Sequence, residues 1–190
     1  MNSNGVALLM DPHPCGHIVY PYTDEGLVGQ AVCLFASSGL RDGEGVVLIM
    51  SRSHREAFRL RLGLEGLKVE SFEDSGQLIC VISEELLSTF VVDGTVDEVV
   101  FRSTIASLIH RAKMGSDGVP RRVRVFGEMV SQLRGTNLAA TTKLEELWDQ
   151  VIKEHSVALL CTYVLEHESD HLPDALMAIH SHSIEKEAAR

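Results

Sequence analysis

Residues Arg121 to Trp148 read RRVRVFGEMVSQLRGTNLAATTKLEELW, and this stretch decides the fold class. Its β-branched first part predicts a strand that ends at Phe126-Gly127, and an amphipathic helix follows after a break. Between them stands Glu128, at the position where open α/β sheets bind their ligands, the carboxyl end of a strand. Glu128 is therefore a candidate functional residue. An acidic residue there is equally typical of a helix N-terminus, where it only caps or charges the first turn and is favoured by the helix macrodipole.

The rest of the chain alternates between strand and helix patterns. Apolar runs predict strands at His17–Tyr20, Gly45–Met50, Leu78–Ile82, Val123–Phe126 and Val157–Tyr163. Helical spacing predicts helices from Asp24 to Gly39, Arg52 to Leu62, Ser83 onward, Asp97 to Lys113, Glu128 to Leu133 and Leu138 to His155, with a final helix in the tail after Leu165. This alternation predicts an α/β fold, a three-layer α/β/α domain with a mostly parallel sheet.

Composition excludes several classes of protein. A chain of 190 residues that is 45% hydrophobic predicts one domain with a substantial core. The four cysteines form no C-x-x-C pair, which excludes a zinc ribbon and a thioredoxin-type motif. Apolar runs are too short for a membrane span, and no signal peptide is recognisable, so we expect a cytoplasmic protein. A formal net charge of -10 argues against direct binding of nucleic acid.

Several short motifs occur in an order that resembles a known family. They are His17-Ile18-Val19-Tyr20, Ser38-Gly39-Leu40-Arg41-Asp42-Gly43-Glu44, Ser53-His54-Arg55, Val125-Phe126-Gly127-Glu128-Met129, Leu144-Glu145-Glu146-Leu147-Trp148, Leu159-Leu160-Cys161-Thr162-Tyr163 and His180-Ser181-His182. The chain resembles the MEDS family, the methanogen/methylotroph sensory domain. The resemblance implies a RecA/KaiC-like fold and a prokaryotic sensory module that partners a histidine kinase or a transcription regulator. It divides the chain into an N-terminal extension (1–14), the sensory domain (15–183) and a C-terminal tail (184–190).

The nucleotide site that such an ancestry implies is degenerate here. No G-x-x-x-x-G-K-[ST] motif is present, and Asp24 and Glu25 follow the first strand where a phosphate requires positive charge. We therefore expect no ATP hydrolysis, and a non-catalytic domain that binds an uncharged or cationic organic molecule, or a partner protein, at the same sheet edge. The predicted ligand-binding residues are Tyr20, Tyr22, Glu25, Ser51, His54, Phe126, Glu128 and Met129.

Other chemistry has weaker support in the pattern. The alternative function is a metal-dependent or remnant nucleotide-binding enzyme that uses Glu25, Glu44 and Glu128 with His17 or His54. Metal ligands are available in His13, Cys15, His17, His167, His171, His180 and His182, but their spacing matches no standard zinc site, so we predict none. Cys161 lies in an apolar strand and is expected to be an inert thiol. Trp148 is expected in the core, with Glu145 on the same helix face and no assigned role. The pattern identifies no cofactor and leaves the oligomeric state open.

Overall fold

The computed structural model describes residues 1–167 and 169–184 as a layered α/β structure. The strands, in chain order, are β1 (His17–Tyr22), β2 (Gly45–Met50), β3 (Leu78–Ile82), β4 (Val91–Val92), β5 (Thr95–Val96), β6 (Val123–Gly127), β7 (Ala158–Val164) and β8 (His182–Ser183). The helices are α1 (Ser3–Met10), α2 (Glu25–Arg41), α3 (Arg52–Leu64), α4 (Val69–Asp74), α5 (Ser83–Phe90), α6 (Glu98–Met114), α7 (Met129–Arg134), α8 (Leu138–His155) and α9 (Asp174–Met177).

Six strands form a parallel sheet in the order β3-β2-β6-β7-β1-β8, and β4 and β5 form a separate antiparallel hairpin. Parallel neighbours require crossover connections, and these are supplied by the helices. The predicted three-layer fold and all five predicted strands of this sheet are thereby confirmed. The two-residue strands β4, β5 and β8 were missed, since so short a segment carries no periodicity.

Side chains on the central strands alternate between two cores. Ile18, Leu48 and Leu160 face the core beneath α2 and α3, whereas Val47, Val125 and Leu159 face the core beneath α6 and α8. Strands buried on both faces must be apolar throughout, which explains the continuous apolar runs of the sequence. Trp148 lies in the second core, 1% exposed, and its ring packs edge-to-face on Phe101 at 5.3 Å. Its predicted core position is confirmed.

Most of the predicted helix boundaries are also correct. Asp24 and Ser51 cap α2 and α3 through their side-chain oxygens, which accept from the N–H groups of Leu27 and His54. In the described part of the tail, the prediction of a final helix is not met, because only α9, with 4 residues, is helical there and β8 follows it. The last residues, 185–190, lie outside the described part of the chain. Helices α1 and α4 were not predicted.

The segment before β1 packs against the domain through a buried arginine. Arg124 is 1% exposed, and its guanidinium donates to the carbonyl of Phe35 at 2.9 Å and to that of Leu9, at the end of α1, at 3.2 Å. Its Nε donates to the Glu44 carboxylate. Gly39 is required here, because a Cβ at that position would lie 2.5 Å from the Arg124 Nε. Arg124 thus joins α1, α2 and β6.

None of the described helices has the length and apolar character needed to cross a membrane.

Candidate ligand-binding site

A cavity of about 290 Å³ opens at the carboxyl edge of the sheet, between α2 and α3. Its floor comes from the ends of β1, β2, β6 and β7, because parallel strands deliver their following loops to one edge. The lining residues are Tyr22, Glu25, Gly26, Val28, Gly29, Val32, Met50, His54, Ala57, Phe58, Arg61, Phe126, Glu128 and Thr162. Most of the lining is apolar, and Glu25 and His54 come from the first turns of the two helices.

A hydrogen-bonded chain of acidic and imidazole groups borders the cavity. His54 Nδ1 lies 2.6 Å from Glu128 Oε2, and its Nε2 lies 3.3 Å from Glu25 Oε2. Glu25 in turn accepts from the Tyr22 hydroxyl at 3.4 Å. Glu128 is 6% exposed and its carboxylate also accepts from the backbone N–H of Ser51. His54 is therefore held between two carboxylates that come from different parts of the chain.

Both helix N-termini at this edge are occupied by the protein's own polar groups. The Asp24 carboxylate accepts from the N–H of Leu27 at 3.0 Å in the first turn of α2. At α3, the Ser51 hydroxyl caps the helix and the Glu128 carboxylate takes the Ser51 N–H. Glu128 occupies the N-cap position of its own helix, α7, but its side chain makes no capping hydrogen bond there. Helix N-termini are the usual anion-binding positions, and here carboxylates already fill them.

The acidic surroundings shift two pKa values at this edge. Burial lowers the pKa of His54, but the hydrogen bond and charge of Glu128, with the charge of Glu25, outweigh it, so the pKa of His54 rises above 6.5. Burial, together with the charges of Glu25 and Glu128, raises the pKa of Tyr22 far above its ordinary value. His54 therefore carries more positive charge near neutral pH than an isolated imidazole, and Tyr22 remains a hydroxyl donor.

The structure brings five of the eight predicted site residues to this cavity. They are Tyr22, Glu25, His54, Phe126 and Glu128. Tyr20 does not line the cavity, because β1 continues for two residues beyond it and places Tyr22 at the edge. Met129 is fully buried in the core on the opposite face of the sheet. Ser51 donates its backbone N–H to Glu128 and does not line the cavity.

Sequence reasoning missed the helical walls of the cavity. Ala57, Phe58 and Arg61 follow His54 at spacings of three, four and seven residues, which places all four on one face of α3. From α2, Gly29 faces them, and a Cβ there would lie 3.2 Å from the Arg61 guanidinium carbon. The helical spacing of these residues from His54 was the signal in the sequence that could have identified them. It became informative only once the packing of α2 against α3 was known.

The residues of the enzyme alternative are assembled only in part, because Glu25 and Glu128 meet at His54 but Glu44 and His17 do not join them. Glu44 precedes β2, whereas Ser51 and the cavity follow it, so the length of the strand, roughly 20 Å, separates Glu44 from Glu128. Glu44 instead pairs with Arg124 and Arg122. His17 begins β1 and faces the opposite core, away from His54.

A second polar cluster is buried on that opposite face. It contains His17, Glu145, Cys161, Tyr163 and His180, whose side chains come from β1, α8, β7 and the segment after α9. Burial raises the pKa of Glu145, but its interactions with His17 and His180 outweigh it and hold that pKa below its usual range. Burial lowers the pKa of His17 and, with the Glu145 charge, raises those of Cys161 and Tyr163. The sequence indicated that Cys161 is an inert thiol in an apolar strand, but it did not bring Cys161 together with His17, Glu145 and His180.

Comparison with known proteins agrees with this architecture. The profile of the MEDS family, described as the methanogen/methylotroph, DcmR sensory domain, matches residues 16–181. Among solved structures, the chain is similar to a KaiC-like protein from the hyperthermophilic archaeon Pyrococcus horikoshii OT3, with a TM-score of 0.58 and 12% identity. That similarity covers 92% of this chain and 75% of the other, and it concerns the fold alone. A search of curated proteins finds no match. Since the family profile spans nearly the whole chain, the chain belongs to the MEDS family of sensory domains.

Proposed function

We propose that this sensory domain detects a small organic molecule in the cavity between α2 and α3 and does not catalyse a reaction. The observation that carries the proposal is the pairing of an apolar cavity of about 290 Å³ with carboxylates at both helix N-termini. A cavity with apolar walls and a few convergent polar groups is the common form of a small-molecule site. We take residues 15–183 as the sensory unit, and the extension 1–14 and tail 184–190 as its flanks.

The chemistry of the walls favours a neutral or cationic ligand. Phe58, Phe126 and Met50 offer apolar contact, and Glu25 and Glu128 offer acceptors for an amine or hydroxyl group. A phosphate would meet these carboxylates, and those of Asp24 and Glu128 already accept backbone N–H groups at the starts of α2 and α3. Arg61 lies two helical turns from His54, roughly 10 Å along α3, and therefore at a distance from the acidic end. The preferred ligand has a polar head toward His54 and an apolar body.

Binding would be transmitted through α3, because this helix contributes both an acidic contact and an apolar wall. His54 is at its first turn and Phe58 is one turn later. A ligand that displaces His54 from Glu128 would change the position of the α3 N-terminus, and a histidine kinase or transcription regulator in the cytoplasm would respond. The family to which the chain belongs supports a signalling role, and the partner itself is part of this proposal.

The proposal is tested by thermal unfolding in the presence of a panel of short alkyl amines and alcohols, with ATP, ADP and inorganic phosphate as comparison. A ligand present at 100 times its dissociation constant should add about 2.7 kcal/mol of stability. We expect stabilisation by members of the first group and none by phosphate or nucleotides. Stabilisation by the phosphate compounds alone would contradict the proposal.

Two isosteric variants identify the site. Glu128→Gln should abolish the ligand response while the protein stays folded, since the amide retains the shape but loses the charge that His54 and Ser51 contact. Glu56→Gln is the matched control, because Glu56 lies on the exposed side of the same helix. If both variants respond like the original protein, the ligand binds elsewhere.

The remnant-enzyme alternative retains one supporting observation, the position of His54 between two carboxylates. Such an imidazole is suited to accept or donate a proton. The absence of the phosphate-binding Lys and the acidic start of α2 argue against phosphoryl transfer, so we expect ATP hydrolysis no faster than the buffer background. Phosphate release that requires magnesium and disappears in Glu128→Gln would establish the enzyme instead.

A further inference from the structure

The buried polar cluster on the opposite face of the sheet has the composition of a metal site. His17, Glu145, Cys161 and His180 each offer one ligand atom, and these atoms all lie within 4.8 Å of one another. In the part of the chain that the structure describes, it is the one group of at least three candidate ligands gathered so closely. We infer that these four residues bind a divalent transition-metal ion with the preferences of zinc.

Several distances between the ligand atoms are close to the edges of a coordination tetrahedron. Bonds of 2.0–2.3 Å around zinc give edges of roughly 3.3–3.8 Å. His17 Nε2 lies 3.1 Å from Glu145 Oε2, Cys161 Sγ lies 3.5 Å from His17 Nε2, and Cys161 Sγ lies 3.6 Å from Glu145 Oε2. His180 Nε2 lies 3.3 Å from the other Glu145 oxygen. Small rotations of side chains already in place would complete the site.

The orientation of His180 is an independent indication of a cation. Its Nδ1 lies 2.8 Å from the carbonyl oxygen of Leu176 and must donate there, since a carbonyl only accepts. In the neutral ring the proton is thus on Nδ1, and Nε2 presents a lone pair to a carboxylate oxygen of Glu145. Nε2 is fully buried and has no hydrogen-bond partner within the described residues. A metal ion between His180 Nε2 and the Glu145 oxygen would remove the repulsion between their lone pairs. A metal-bound histidine usually donates its other ring N–H to a carbonyl or carboxylate, as Nδ1 of His180 does here.

Charge balance favours a divalent ion. The Glu145 carboxylate is 0% exposed, and no Lys or Arg forms a salt bridge with it in the described structure. A divalent ion bound to a carboxylate, a thiolate and two neutral imidazoles forms a site with no net charge, which suits an apolar core. On binding, Cys161 releases its thiol proton to solvent and forms the metal–sulfur bond. The Tyr163 hydroxyl, which donates to Glu145, would orient the carboxylate.

The site would fix the C-terminal segment to the sheet. His180 lies between α9 and β8, and both elements are short, with 4 and 2 residues. With four protein ligands the coordination shell is complete, so the ion has a structural role and no open position for chemistry. The cavity between α2 and α3 lies on the other face of the sheet, and the two sites are therefore tested separately.

The test is metal binding by the full chain after removal of bound metal with a chelator. We expect one Zn²⁺ per chain in competition with a chromophoric chelator, and a cobalt-substituted form whose visible spectrum shows tetrahedral coordination and a thiolate-to-cobalt charge-transfer band. Cys161→Ala and His180→Ala should weaken zinc binding by roughly 100-fold or more, since each loses a direct ligand. Zinc should also raise the melting temperature of the original protein.

Two variants serve as matched controls. Cys33→Ala removes a buried thiol of the opposite core, and His182→Ala removes an exposed imidazole two residues from His180. Both should bind zinc like the original protein. The inference is overturned if the original protein binds no stoichiometric zinc, if its cobalt form lacks the charge-transfer band, or if the controls lose binding as strongly as the two ligand variants. The cobalt spectrum of the original protein gives the answer even where a ligand variant does not fold.

Discussion

Replacing Arg124 by Met should lower the free energy of unfolding by about 3 kcal/mol, because it leaves a buried carboxylate without its main partner. Met keeps most of the aliphatic volume, so the change chiefly removes the guanidinium. That group is 1% exposed and donates to Glu44 and to the backbone carbonyls of Leu9 and Phe35. These acceptors stay buried in the variant and have no water to replace the lost donor.

The magnitude follows from how completely the partner is enclosed. Removing one partner of a buried ion pair lowers the free energy of unfolding by about 3–5 kcal/mol. Glu44 is 7% exposed and keeps a second contact, with Arg122 Nη1 at 3.3 Å, which places the loss at the lower end of that range. The double variant, with Arg124→Met and Glu44→Gln, should lose about 1–2 kcal/mol less free energy of unfolding than the sum of the losses of the two single variants. The reason is that the two residues contact each other directly.

The assay is urea denaturation followed by the fluorescence of Trp148, the sole tryptophan, which lies in the core on the other face of the sheet. A signal from that face reports global unfolding rather than local loosening near α1. Arg52→Met is the control, since Arg52 pairs with Glu85 at the surface, with side chains 73% and 65% exposed, and such a change should stay within about 0.5 kcal/mol. A loss for Arg124→Met below about 1 kcal/mol, or equal to that of the control, would refute the reasoning.

Three further changes test the packing and the acidic edge. Trp148→Ala should lower the free energy of unfolding by about 3–5 kcal/mol in a denaturation followed by circular dichroism, since the ring is fully enclosed against Phe101. Gly39→Ala should also destabilise, by about 1–3 kcal/mol, although Ala favours a helix, because its Cβ would meet the fixed side chain of Arg124 at 2.5 Å; unchanged or increased stability in urea would contradict this. The His54 contribution to stability should be complete below about pH 6.5 and disappear as pH rises through its raised pKa. A ring titration by NMR should show that raised pKa, and a difference in stability from His54→Gln that does not vary with pH would count against it.

Local pattern predicted the layers of the fold. A strand buried on both faces must be apolar, and a helix on a sheet must repeat its apolar residues every three or four positions. These patterns predicted the strand at Val46–Met50 and the helix around Phe101–Ile109. Helix caps are equally local, since Asp24 and Ser51 each accept from a backbone N–H three residues later. The short α9 and β8 were not predictable in this way, because two to four residues contain no period.

The candidate site was predicted only as far as the edge of the sheet. Parallel strands end on the same side, so the sequence could place Tyr22, His54 and Glu128 near one another. It could not decide that Met129 turns into the opposite core, since that depends on the backbone angles at the end of β6. The sequence also could not show that Tyr20 lies inside β1 and not at the edge of the sheet. The length of β1 is set by its pairing with β7, which extends through Val164.

The sequence by itself determined the composition of this protein's layers, and the tertiary structure alone decided which polar side chains meet inside them. Hydrophobic periodicity is a property of neighbours along the chain and fixes each element and its buried face. The contacts of Arg124 with α1, and of His17 with Glu145, Cys161 and His180, join residues more than a hundred positions apart. Those contacts depend on the strand order β3-β2-β6-β7-β1-β8, which places β1 beside both β7 and β8. No local pattern encodes that order, since it results from how all the elements together bury their apolar faces.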